Sequence, residues 1–128
     1  MIFVDTNVFM YAVGRPHPLR HEARAFFRAA LQRGTPLATS AEVLQELLHA
    51  YLPVSRIETL DAALALAESR VGVIWPVEGD DVRLARALAD RHVGLPARDL
   101  LHLACCTRRQ VDEIQTFDRA LAAAFRRP

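Results

Sequence analysis

The chain has no lysine; all 16 of its basic residues are arginine. Mechanisms built on a lysine amine are therefore excluded. There are two cysteines, Cys105 and Cys106, and they are adjacent within a helical pattern, where an ordinary disulfide geometry is out of reach. They read as two small core residues in a reducing compartment. No uninterrupted apolar stretch approaches the length of a bilayer crossing, although hydrophobic residues make up 52% of the chain. The opening Met-Ile-Phe-Val-Asp lacks the positive region and long apolar segment of a secretory signal. A soluble, cytoplasmic protein with no membrane partner is expected. Excess charge is also missing: the net value is +1, so nucleic acid is not bound through overall positive charge and any such contact must be local. Repeats, low-complexity tracts and long linkers are absent.

What remains is a regular alternation of short apolar runs and helical periodicity over 128 residues, the size of one domain (1–128). Ile2–Asp5 reads as a strand that ends in an acid, followed by a turn and a helix up to Gly14. After the Arg15-Pro16-His17-Pro18 loop, Leu19, Ala23, Phe26, Phe27, Ala30 and Leu31 recur at helical spacing until Gly34. Residues 36–39 predict a second strand. Residues 40–51 predict a helix that Pro53 ends, and 55–70 another. Val73-Ile74-Trp75 is a third strand, 80–92 a helix broken by Gly94 and Pro96, 98–111 a helix, 113–117 a fourth strand and 118–126 a closing helix. Strands separated by helices need crossover connections, which imply a three-layer α/β/α sandwich with a small, mostly parallel sheet.

Acids at the C-terminal ends of parallel strands lie where open sheets bind ligands. Asp5 and Asp118 both occupy that position, each between a strand and a helix, where the alternative role is helix N-capping. Asp99 begins the helix that follows Leu95-Pro96-Ala97-Arg98 and has the same alternative. Glu46 sits at the edge of the stripe formed by Val43, Leu44, Leu47, Leu48 and Tyr51, about 60° beyond Val43 on a helical wheel. It can face a cleft or be a solvated charge. Glu42, three residues after Thr39, has capping-box spacing and is assigned to structure.

Together these segments carry a resemblance. Ile2-Phe-Val-Asp5-Thr6-Asn7, Ser40-Ala-Glu-Val-Leu-Gln-Glu46-Leu, Leu95-Pro-Ala-Arg-Asp99-Leu-Leu-His-Leu-Ala and Ile114-Gln-Thr116-Phe-Asp118-Arg appear in order. The ordered set resembles the four motifs of PIN-domain proteins, specifically the VapC-type toxin ribonucleases of toxin–antitoxin systems, over the full chain. One departure is Phe117, where the family often has a small residue or Asn. The resemblance implies a PIN-like fold and an endoribonuclease acting on RNA, leaving a 5′-phosphate and a 3′-hydroxyl. Asp5, Glu46 and Asp99 would be metal ligands directly or through water, with Asp118 completing the site. It also implies a cognate antitoxin and a homodimer or a dimer of toxin–antitoxin pairs. A PIN-fold RNA-processing nuclease outside a toxin system, or a silent RNA- or protein-binding module, is the alternative.

Clustered carboxylates repel one another and take up protons unless a cation neutralises them. Oxygen donors suit Mg2+ or Mn2+, whereas zinc more often recruits histidine or cysteine. Such an ion holds the scissile phosphate, activates water and stabilises the leaving oxygen. Thr6, Asn7 and Thr116 are candidate supporting groups; for the two threonines the alternative is a hydroxyl satisfying nearby backbone. Arg98 is placed for an RNA phosphate or for solvent, and Arg20, Arg24 and Arg28 form a stripe with the same two readings. The five histidines show no ligand spacing, and His102, one turn after Asp99, is read as structural, with a place near the site as the alternative. Asp80 and Asp81 suit the first turn of a helix. Ile57, Leu60, Leu64 and Ala67 offer apolar surface for the core or for another chain. Phosphatase and receiver-type domains also place acids at strand ends, but both usually need a lysine, and Asp5-Thr6-Asn7 lacks the second acid of a haloacid-dehalogenase-type phosphatase.

Overall fold

The four short segments read as strands pair side by side, with the most apolar of them, Ile2–Val4, in the interior. In the computed structural model, residues 1–127 are described, and among them β1 (Ile2–Val4), β2 (Leu37–Ser40), β3 (Val73–Trp75) and β4 (Glu113–Gln115) form one parallel sheet in the order β3-β2-β1-β4. Phe3 and Val4 of the central β1 are fully buried. Ile2 is opposite Leu37 on one side and Glu113 on the other, and Val4 is opposite Gln115. From β1 the chain proceeds to β2 and β3 on one side and returns to place β4 on the other. The reversal lies between β1 and β4, where open sheets form their ligand crevice.

The helices are α1 (Thr6–Val13), α2 (Arg20–Arg33), α3 (Ala41–Tyr51), α4 (Ile57–Arg70), α5 (Gly79–Leu88), α6 (Ala97–Arg108) and α7 (Arg119–Phe125). They form two packed groups, α1 to α4 and α5 to α7. The first group closes a core that contains Phe3, Phe9, Phe27 and Leu47; the second closes one around Leu88, Leu100, Leu103 and Leu121. Burying each such large side chain stabilises by roughly 1.5–3 kcal/mol. The three-layer parallel architecture expected from the alternation is the one observed. Cys105 and Cys106 are free and buried, as their helical adjacency required. No helix among the described residues is long and apolar enough to cross a membrane.

Local signals act as the sequence implies, with two corrections. Gly34 ends α2 in the left-handed region at φ 66, and its N–H reaches the Ala30 and Leu31 carbonyls. Pro53 sits in a single 3-10 turn that follows α3. The Thr39–Glu42 capping box is not formed. Ser40 is the cap, accepting from the Val43 N–H, because Thr39 is still in the sheet and donates its hydroxyl to the Val4 carbonyl at 2.9 Å. Asp99 is not a cap either: α6 begins at Ala97 after Pro96, so Asp99 lies within the first turn, with its carboxylate free for the cleft. Leu60 and Ala67 join the core, whereas Ile57, Leu52 and Val54 remain exposed at the α3–α4 connection.

Asp80 and Asp81 do open α5, but Asp81 does more than favour a helix start. Its carboxylate is fully buried, accepts from the Glu78 N–H at 2.8 Å, and pairs with Arg108 at 2.8 Å and Arg109 at 2.7 Å. Burial pushes its pKa up, yet Arg109, the Glu78 N–H and Arg108 outweigh it and hold the group at about 2. The Arg109 guanidinium also lies 5.4 Å from the Trp75 ring centroid. This bridge ties α6 to α5 and β3, and α6 carries Asp99.

Candidate active site

Asp5 follows β1 directly, and its N–H extends the ladder to the Gln115 carbonyl of β4 at 3.0 Å. Only 5% of the residue is exposed. One carboxylate oxygen caps α1 by accepting from the Thr6 N–H at 2.8 Å; the other accepts from the Thr116 hydroxyl at 2.7 Å. Asp118 follows β4 and caps α7, accepting from Ala120 and Leu121 N–H groups at 2.9 and 3.1 Å. The capping role and the placement at the strand ends are therefore compatible. Capping fixes each carboxylate in one orientation at the mouth of the β1/β4 crevice.

Glu46 enters from α3. One of its oxygens accepts from the Thr6 hydroxyl, and the other lies 2.9 Å from Nε2 of His102. Asn7 links α1 to the β4 end: its side-chain carbonyl accepts from the Phe117 N–H at 3.2 Å, and its amide lies 3.4 Å from the Thr116 hydroxyl. The Thr116 oxygen in turn accepts from the Asp118 N–H at 3.0 Å. Phe117 fits between the two site residues because its ring packs edge-on against Tyr11 at 5.4 Å. A cleft of about 310 Å³ is lined by Asp5, Glu46, Asp99 and Asp118 together with Thr6, Asn7 and Arg98. The four acids are thus brought together. Arg20, Arg24 and Arg28 do not line the cleft; Arg24 instead donates to the Ala12 carbonyl at 2.9 Å, locking α2 onto α1.

His102 is the residue that sequence reasoning placed in the structural background and the fold places in the site. It is 1% exposed, with Nε2 between Glu46 at 2.9 Å and Asp5 at 3.6 Å, and its Nδ1 is buried without a hydrogen-bond partner. The available signal was the Asp99-to-His102 interval of three, which sets both side chains on one helix face. Histidine spacing alone could not reveal it, since its neighbours in the site come from β1 and α3.

Burial raises the pKa of Asp5 against the pull of His102, Thr116 and Thr6. For Glu46 burial acts in the same direction, but the His102 hydrogen bond and charge, the Thr6 hydroxyl and Arg98 outweigh it, and the net shift is downward. Asp99 is raised to about 6, by burial first and then by the charges of Asp118 and Asp5. Burial lowers His102, yet Glu46, Asp5 and Asp99 more than compensate, and its pKa rises. The cluster is short of positive charge. Asp5, Glu46 and His102 offer ligand atoms all within 4.8 Å of one another, and the surrounding donors are mainly carboxylate oxygens, a set that fits a hard divalent cation.

The raised Asp99 pKa gives a signed expectation for metal-free protein. Its folded pKa exceeds the unfolded value, so the stability it contributes is full below about 3.8 and is lost as pH rises through about 6. Asp99→Asn lacks that loss. In chelator, the Tm of the variant minus that of the wild type should grow between pH 4 and 6 and level off above; a difference that is flat with pH contradicts the electrostatic account.

A family model described as PIN domain matches residues 2–126. Ribonuclease VapC23 of Mycobacterium tuberculosis is 63% identical over 126 residues, covering 98% of this chain and 99% of that protein. Ribonuclease VapC13 of the same organism is 39% identical over 119 residues, 93% of this chain and 91% of its own. Among solved structures, Mycobacterium tuberculosis VapC20, described as a sarcin–ricin loop cleaving toxin, superposes with a TM-score of 0.75 at 22% identity, covering 97% of this chain and 95% of that one. VapBC2 of Rickettsia felis, bound to a promoter DNA fragment, gives 0.72 at 20% identity, with 99% and 92% covered. At those identities the structural likeness is one of fold.

Proposed function

Since this chain belongs to the PIN-domain family and is an endoribonuclease toxin of the VapC class, we propose that Asp5, Glu46, Asp99 and Asp118 form its catalytic centre and hold Mg2+ or Mn2+. The observation that carries this reading is the convergence of four sequence-distant carboxylates on one cleft at the β1/β4 reversal. When bound, the cation neutralises the scissile phosphate and lowers the pKa of water.

The chain's own groups do the positioning. Thr6 holds two acids at once, with its N–H on Asp5 and its hydroxyl on Glu46. Thr116 holds the second oxygen of Asp5 and the N–H of Asp118, and Asn7 fastens that β4 turn to α1. Arg98, exposed at the rim, supplies a cation for an RNA phosphate. The functional unit is a single PIN-like domain over 1–128 acting in the cytoplasm. Its exposed Leu52, Val54 and Ile57 at the α3–α4 connection are the proposed contact surface for a second copy of the chain or for the cognate antitoxin.

Single-stranded RNA incubated with the protein and Mn2+ should yield 5′-phosphate fragments, and excess EDTA should reduce cleavage to background. Undiminished cleavage in EDTA sinks the metal-dependent reading.

A further inference from the structure

We infer that the pocket formed by Tyr11, His17, Tyr51 and Arg56, beside the acidic cleft, receives one nucleobase of single-stranded RNA, from a nucleotide adjoining the scissile phosphate. The inference rests on the proposal that RNA is the substrate of the cleft.

The pocket has a volume of about 290 Å³ and shares Asn7 and Met10 with the cleft. A phosphodiester held among the acids therefore has its neighbouring nucleotide within reach. That volume is at the small end of ligand sites, suited to one flat ring and too small for a docked helix.

The lining matches the chemistry of an unstacked base. The Tyr11 and His17 rings meet at a tilt of 35° with centroids 4.5 Å apart, and the Arg56 guanidinium lies 5.5 Å from the Tyr51 ring centroid. Aromatic rings and guanidinium planes are the surfaces on which proteins take up splayed bases, because every base has a π-face. Pro16 and Pro18 flank His17, and the Leu19 N–H donates to its Nδ1 at 3.1 Å. That bond places the proton of the neutral ring on Nε2, a donor suited to a base edge.

Charge points the same way. The pocket is lined by Arg15 and Arg56, and no carboxylate is among its described lining residues, whereas four line the neighbouring cleft. A polyanionic strand gains cations beside the point where its phosphate meets the acids. The two arginines favour a polyanionic strand over an uncharged apolar segment.

The test is a cycle between protein and RNA. A cleavable oligoribonucleotide is prepared with an abasic site at each position in turn, and kcat/KM is measured for wild type, for His17→Ala, which alters an exposed residue, and for Tyr11→Leu, which preserves bulk next to Phe117. For wild type, one position adjoining the cleavage site should cost about tenfold, the scale of one stacked base. For either variant the intact RNA should already be about tenfold slower, with no further loss from removing that base. Equal abasic penalties in wild type and both variants overturn the inference, as does an unchanged abasic profile in variants that bind the cognate antitoxin more weakly. The same series is read as binding by fluorescence anisotropy on Asp5→Asn protein. If wild type cleaves no oligonucleotide but the coupling appears in binding, the ribonuclease reading falls and the base pocket stands; if binding shows no coupling either, the pocket falls too.

Discussion

Asp5→Asn is expected to lower kcat/KM for RNA by about a thousandfold or more, the scale on which losing a charge-stabilising group acts, while the protein stays folded. The two consequences separate because the proposed metal role of Asp5 rests on its charge, whereas its structural role rests on its hydrogen bonds. Its structural contacts are with the Thr6 N–H and the Thr116 hydroxyl, and the asparagine carbonyl can keep one of them. Its charge is what a divalent cation requires. Burial raises the pKa of Asp5, so metal-free protein loses stability as pH rises from the ordinary carboxylate range through the folded value. Removing the charge recovers that loss, and the Tm of metal-free Asp5→Asn at pH 7.5 should equal or exceed that of wild type. Titration calorimetry should show Mn2+ binding markedly weakened. Wild-type cleavage by the variant places the chemistry elsewhere; a cooperative melt lost in the variant makes Asp5 a folding residue instead.

Much of this site was legible in the sequence because its acids are tied to local signals. Asp5 and Asp118 each end a short apolar run and start a helix, and a strand followed by a capped helix is a pattern that short windows reveal. Capping and metal binding looked like competing explanations. They are compatible, since one carboxylate oxygen can hold a helix N–H and thereby orient the group. What was not legible depends on register. Whether Thr39 or Ser40 caps α3 turns on where β2 stops, and that is fixed by the Thr39 hydroxyl reaching Val4 across the sheet. Asp81 read as a helix-start charge because its partners, Arg108 and Arg109, are at the end of a helix that only the tertiary fold brings beside it. His102 was hidden for the same reason: a lone histidine on an apolar helix carries no local mark of the two carboxylates that approach it from β1 and α3.

The role of His102 is separable by two substitutions. His102→Leu should lower kcat/KM by about 10- to 100-fold, the usual cost of removing a group that orients a metal ligand, and His102→Gln should recover most of that loss. The geometry favours positioning over ligation. Nε2 is 2.9 Å from Glu46, whereas Nδ1 is buried with no hydrogen-bond partner. A histidine that binds metal almost always donates its other ring N–H to a carboxylate, a carbonyl or water, and that support is missing here. Glutamine can offer an N–H from a similar distance along its side chain, and leucine cannot. Mn2+ affinity therefore distinguishes the two roles independently of turnover. If His102 positions Glu46, the glutamine variant should bind Mn2+ nearly as wild type does and the leucine variant more weakly. If it is a ligand, both should lose affinity alike. Metal-free His102→Leu should also melt below wild type, because Asp5 and Glu46 then face each other in a buried site without the donor between them, and Mn2+ should raise its Tm by less than it raises that of the wild type, in line with its weaker binding.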